Sequence, residues 1–266
     1  MRIVFPGKYF FRSVLPVMIS LIFLSCINDD NSGGGTIPYL GLLPNSTKGD
    51  PVISHTAFTL CYSEADEQPR WVAYELTKEM CTSNAVKRKD KFIPDPLVKT
   101  GSAETSDYKN SGYDRGHLCP AGDMNWSQQS MEESFYMSNM SPQVHAFNAG
   151  IWEKLENRVR HWAELKGKVF VVAGGILGPG LEKIGVKNKI TVPHYFFKIV
   201  YSEKGNGSAV AFVMPNLGIT GKSYLDFTLS IDSVESLTGI DFFPQLPDST
   251  ENRIEKNKNF AGWVND

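Results

Sequence analysis

The sequence predicts an α+β domain, and three observations carry that expectation. Runs of β-favouring residues and one strongly periodic helical stretch follow one another without the strand–helix–strand rhythm of a parallel sheet. Residues 50–245 hold no internal repeat and no Pro- or Ser-rich linker, so a single domain accounts for them. Hydrophobic residues make up 41% of the 266 and charged residues 21%, ordinary globular usage that excludes wholesale disorder and is ample for one core.

Residues 57–62 and 71–76 are two short strand-like runs separated by the polar stretch 63–70. The basic segment Lys87-Arg88-Lys89-Asp90-Lys91 follows and leads through Pro94 and Pro96 into a polar region ending near Gly112. Residues 147–167 form the best helix: Trp152, Leu155, Val159 and Trp162 recur at three- and four-residue steps, and Gly167 supplies a stop. Residues 169–172 read as a buried strand closed by Ala173-Gly174-Gly175. Residues 195–201 and 209–214 pair around the turn Lys204-Gly205-Asn206-Gly207, and a last helix at 231–238 runs into Gly239 and the apolar residues 240–243.

The N-terminus reads as an export signal. Arg2, Lys8 and Arg12 precede an apolar run from Val14 to Leu24 that is too short to cross a bilayer but suits a signal peptide. Leu24-Ser25-Cys26 resembles the cleavage site of bacterial lipoproteins, in which the cysteine carries the lipid; ordinary secretion with Cys26 a bystander is the alternative. The Asn- and Gly-rich residues that follow read as a flexible tether. The expected organisation is a lipoprotein-type signal over 1–26 with Cys26 lipidated, a tether over 27–50 and one domain over 51–266. The expected location is the bacterial cell envelope, reached by export and held by the lipid at Cys26. A monomer and a homodimer both stay open.

Lys plus Arg is 27 and Asp plus Glu is 29, a formal net charge of −2. Without Arg2, Lys8 and Arg12 the balance is 24 cations to 29 anions, or −5. Such a chain does not grip a polyanion by bulk positive charge; a local basic patch or a metal ion must do it. Cys61, Cys81 and Cys119 remain beyond the signal, an odd number in an oxidising compartment. A Cys61–Cys81 bridge with Cys119 free is one arrangement, and the spacing fits no zinc motif.

Chemistry concentrates between residues 113 and 156. Asp114-Arg115-Gly116-His117 places an acid, a cation and an imidazole side by side, and a neutral His accepts a proton from water near pH 7. The same four residues also fit a local Asp114–Arg115 ion pair beside an ordinary loop His117. Further on stand Ser138-Asn139-Met140-Ser141-Pro142-Gln143 and then Asn148, with Glu156 eight residues later. Two helical turns cover about 7.2 residues, so Asn148 and Glu156 project at related angles and together offer oxygen ligands to a hard hydrated ion. On spacing alone, Asn148 as a helix cap and Glu156 as a solvated charge is the competing reading.

Taken in order, Asp-Arg-Gly-His, Ser-Asn-Met-Ser-Pro-Gln and Asn-x-Gly-x-Trp-x-x-Leu-Glu resemble the DNA/RNA non-specific endonuclease family, the ββα-metal nucleases that include mitochondrial endonuclease G. Trp71-Val72-Ala73-Tyr74, residues 169–174, Val192-Pro193 and residues 231–239 resemble further parts of the family pattern, so the likeness covers about residues 55–245. The resemblance implies a ββα-metal nuclease fold, with a central, largely antiparallel sheet flanked by helices. It implies hydrolysis of phosphodiester bonds in DNA and RNA through the phosphate backbone, without sequence preference. It further implies a single magnesium ion, with manganese as a substitute, bound directly by Asn148. By the same likeness His117 is the general base and Glu156 orients a metal-bound water. Arg115 lies in the motif, Asn139 helps to hold the site, and Arg88 neutralises the phosphate in the transition state. Cys119 is read as a buried thiol rather than a nucleophile, and His145 as a solvent-facing or phosphate-near loop residue. The alternative from another class is an envelope-anchored protein that binds nucleic acid on a nuclease fold without turnover.

Overall fold

The computed structural model describes residues 40–45, 49–256 and 261–264. The expected signal peptide, Cys26 included, and most of the expected tether lie outside these residues. Strands β1 (Val52–Ser54), β2 (Phe58–Ser63) and β3 (Gln68–Thr77) come first, and β3 leads into the short helix α1 (Lys78–Thr82). Next are β4 (Asp114–His117), α2 (Gln128–Ser134), β5 (Met140–Gln143) and the main helix α3 (Glu153–Lys166). Then come β6 (Lys168–Gly175), the two-residue strands β7 (Lys183–Ile184) and β8 (Ile190–Thr191), and the long strands β9 (Tyr195–Ser202) and β10 (Ser208–Pro215). β11 (Thr228–Leu229), α4 (Ile231–Thr238), α5 (Asp248–Glu255) and α6 (Ala261–Val264) complete the described elements.

Seven strands form one sheet in the order β1-β2-β3-β6-β9-β10-β11, with every neighbouring pair antiparallel. Side chains alternate across an extended strand, and here both faces are apolar, so the sheet is covered on both sides. One face carries Leu60, Val72, Tyr74, Val171, Phe196, Val200 and Phe212, and packs on Leu155, Val159 and Trp162 of α3. Trp162 stacks on Phe212 at 6.2 Å and meets Trp263 edge-on at 5.1 Å. The other face carries Trp71, Phe170, Val172, Phe197, Ile199 and Tyr201, and is covered by Ile231 and Val234 of α4, Phe242, Phe243 and Ile254 of α5.

Three expectations are corrected by this packing. The tether does not extend to residue 50: Leu40–Leu42 forms a turn of 3₁₀ helix, Leu42 is buried in the second cluster, and Asn45 N–H donates to the Asp241 carbonyl. Its apolar side chains find cover there. Cys61 and Cys81 are not bridged, because Cys61 points into the second cluster while Cys81 packs against the first, on opposite faces of the sheet. The helix expected over 147–167 begins only at Glu153; residues Phe147–Trp152 form a π-helical turn in which Gly150 leaves helical geometry (φ −116°, ψ −111°).

β4 and β5 form a separate two-stranded pair that stands apart from the main sheet. Buried side-chain amides tie it down. Asn216 accepts from Val144 N–H at 2.8 Å and donates to the carbonyls of Pro142 (3.1 Å) and Pro193 (3.0 Å). Ser141 Oγ donates to Gln68 Oε1 at 2.5 Å, and Gln68 Nε2 in turn donates to the Thr191 carbonyl. Asn216→Ala strands these buried partners, so it is expected to lower unfolding free energy by about 1–3 kcal/mol; urea denaturation of wild type and variant checks the value.

Candidate active site

β4, β5 and α3 together place the chemistry of the 113–156 region. β4 pairs with β5 in the register Asp114↔Gln143, Arg115↔Pro142, Gly116↔Ser141 and His117↔Met140. Only glycine fits at 116: a Cβ there would lie 2.1 Å from Gln143 Oε1. Residues two apart on a strand share a face, and Arg115 and His117 both line one cleft of about 360 Å³. Asn148 from the π-helical turn, Glu153, Glu156 and Arg160 from α3, and Arg88 with Phe92 from the upstream loop close its other walls.

His117 is half-buried, edge-on to Phe135 at 4.9 Å and tilted on Phe92 at 5.7 Å. Its Nε2 has no hydrogen-bond partner among the described residues. Burial first, and then the neighbouring charges of Arg88 and Arg115, push the imidazole down to about 3, so it is neutral at pH 7. Arg115 does not form a local pair with Asp114. Its guanidinium lies 4.3 Å from the Phe92 ring centroid, and its Nε is buried with no partner among the described residues. Asp114 instead accepts from Asn148 Nδ2 at 3.0 Å and lies 2.8 Å from His145 Nδ1. That bond orients the amide of Asn148 and leaves Oδ1 as its other polar atom. Asn148 therefore does not cap α3, whose N-cap is Trp152. His145 is largely exposed, as expected.

Glu156 is not a solvated surface charge. Burial raises its carboxyl to about 7, with Lys198 pulling the other way. Lys198 Nζ lies 3.6 Å from Glu156 Oε1 and 4.3 Å from the centroid of the Trp152 ring. Burial also lowers the Lys198 ammonium, against the pull of Glu156. Beside them Arg160 bonds Asp123 at 2.6 Å, and Asp123 also accepts from Tyr74 Oη at 3.0 Å. Asn139 does not reach the cleft. It donates to the carbonyls of Cys119 (2.9 Å) and Ser134 (2.8 Å) and accepts from Cys119 N–H (2.9 Å), which fixes the chain just past His117. Cys119 is fully buried, and burial holds its thiol well above its ordinary range, consistent with an inert side chain. Arg88 reaches the cleft rim, 5.4 Å from the Phe135 ring, and its Nε bonds Asp90 at 2.7 Å.

Lys198, Asp123 and Arg160 do not emerge from the sequence reading. Arg160 stands four residues beyond Glu156, on the same helix face. Lys198 is the one charge in the strand run of 195–201, at the same parity as Phe196 and Val200. Both signals were there to follow.

A two-stranded ribbon leading into a helix, with a neutral imidazole, an oriented amide and a largely buried carboxyl lining one cleft, defines the class of ββα hydrolytic sites. The family model for DNA/RNA non-specific endonucleases matches residues 42–249, and the chain belongs to that family. It is 35% identical over 207 residues to the mitochondrial nuclease EXOG of Danio rerio, covering 72% of this chain and 60% of that protein. The chain thus spans about three fifths of the length of its EXOG relatives. It is 32% identical over 206 residues to human mitochondrial endonuclease G (73% of this chain, 69% of that protein). It is also 32% identical over 231 residues to nuclease C1 of Cunninghamella echinulata (78% and 92%). A crystal structure of the EndoG/EndoGI complex superposes with a TM-score of 0.71 at 33% identity, covering 76% of this chain and 89% of that one.

The depressed imidazole has a consequence for stability. The unfolded chain binds a proton on His117 near pH 6.5 and the folded state only near pH 3, so its contribution to stability is lost as pH falls from about 6.5 towards 3. Between pH 7 and 5 wild type is therefore expected to lose more stability than His117→Ala, and urea midpoints of the two proteins at both pH values check this.

Proposed function

We propose that this chain is a magnesium-dependent endonuclease, with manganese as a substitute, that hydrolyses phosphodiester bonds of DNA and RNA without sequence or sugar specificity. The observation that carries the reading is His117: a neutral imidazole in the same cleft as Asn148, Glu156 and three arginines. The relatives named as nucleases support the same activity.

The residues present fit a hard divalent ion. Asn148 offers a neutral amide oxygen, oriented by Asp114, and the all-oxygen choice of donors suits a cation that keeps most of its water. Glu156 is a buried carboxylate in the same cleft, placed to accept from that water. When bound, the ion supplies positive charge for the phosphate oxygens and for the departing oxygen. His117 takes the proton from the attacking water, which it is able to do because its imidazole is uncharged at pH 7. Arg115, over the Phe92 ring, and Arg88 at the rim bind the phosphate and offset the charge that builds in the transition state. Lys198 and Arg160 hold Glu156 and the floor of the cleft in place. All these contacts are to the phosphodiester backbone, which carries no base information. A net charge of −5 without the signal segment is compatible with this, since Arg88, Arg115 and Arg160 all line the cleft.

Residues 1–26 support export of the chain and attachment to the bacterial envelope through Cys26. The alternative, a binding protein without turnover, is disfavoured by an intact set of His117, Asn148 and Glu156. Incubation with supercoiled plasmid and, separately, with RNA tests the proposal. Magnesium-dependent cutting of both is expected, abolished by chelator and reduced about 10²–10⁴-fold in His117→Ala. Cutting that survives His117→Ala, or no cutting by folded wild type with magnesium and manganese, would overturn it.

A further inference from the structure

We propose a second cation site, for a hard divalent ion such as calcium and remote from the cleft residues, formed by Asp232 and Glu235 of α4 together with Glu255 at the end of α5. Asp232 and Glu235 are three residues apart and so share a helix face. One ligand oxygen from each of the three carboxylates lies within 4.8 Å of the others. Glu255 is only 9% exposed, and its Oε1 is buried without a hydrogen-bond partner. Glu235 is held in place by Phe242 N–H, which donates to its Oε1 at 2.9 Å.

Two further acids, Asp241 and Glu251, add to the negative charge felt by Glu235 and Glu255. Among the described residues, no ion pair joins any of these five carboxylates to a Lys or Arg. A buried carboxylate surrounded by like charges needs either a proton or a cation. The geometry favours a cation, because the three oxygens already converge. Donors that are all oxygen suit a hard divalent ion such as calcium. A bound ion would pin α4 to α5 across the cluster of Ile231, Val234 and Ile254 that covers the second face of the sheet.

Calorimetry with calcium chloride on the Asn148→Ala protein, in which the cleft ligand is absent, tests this, together with thermal melting. One calcium per chain is expected, with a dissociation constant of about 10⁻⁴–10⁻³ M, the range of weak all-oxygen sites. The melting temperature is expected to rise by several degrees in saturating calcium. Asp232→Asn, at an exposed position, should weaken binding at least about tenfold, and Glu255→Gln should abolish both the heat and the shift. Absence of calcium binding, or binding unchanged in both variants, would overturn the proposal. So would a Glu255→Gln protein that is stabilised while wild type ignores calcium, since a proton would then be the occupant.

Discussion

A four-residue antiparallel pair has no stability of its own, yet the β4–β5 ribbon has to hold His117 and Arg115 still. Buried side-chain amides supply the rigidity. Asn139 binds backbone groups of Cys119 and Ser134 with every polar atom it has, Asn216 bridges Pro142, Val144 and Pro193, and Gln68 reaches from the main sheet to Ser141. Gln143 in β5 is the exception, its buried amide having no partner among the described residues. Here these contacts bind the ribbon to both the sheet and the 190s loop. The single hydrogen bond from Asn148 to Asp114 then links the ribbon to the turn that precedes α3. Everything the cleft does follows from that linkage.

The second constraint is electrostatic. A carboxylate and an ammonium lie buried side by side in Glu156 and Lys198, with Asp123 and Arg160 next to them. Alternating charges in a low-dielectric wall fix one another's positions, at a desolvation cost that only good geometry offsets. The imidazole of His117 is treated in the opposite way: burial among aromatic rings and the charges of Arg88 and Arg115 outweigh the pull of Asp90 and keep it neutral. The cleft therefore separates a site for a proton from a site for positive charge. That division suits phosphodiester hydrolysis.

Much of this was legible in the sequence. The long strands and the helix at 231–238 follow from apolar runs and turn residues, because each buries a complete face. The short ribbon was not legible: Asp114–His117 and Met140–Gln143 are polar, four residues long and held by partners distant in sequence. The start of α3 was missed because Phe147 and Trp152 continue the helical period while Gly150 departs from helical geometry. The motif residues His117, Arg115, Arg88, Asn148 and Glu156 do meet in one cleft, whereas Asn139 supports the backbone behind it. Lys198 stayed hidden, since a lysine in an apolar strand run reads as an edge or a surface residue until its partner Glu156 is seen.

The central claim is that one divalent ion sits at Asn148, within reach of the water that His117 deprotonates. Anomalous diffraction from crystals of His117→Ala soaked in manganese tests it most directly, because the ion is located without any reaction taking place. The account predicts a single strong peak in the cleft, bonded to Asn148 Oδ1 at about 2.2 Å with Glu156 beyond a bridging water. A cleft without a peak at saturating manganese, or an ion bonded elsewhere in it while Asn148 stays on Asp114 alone, would contradict the account.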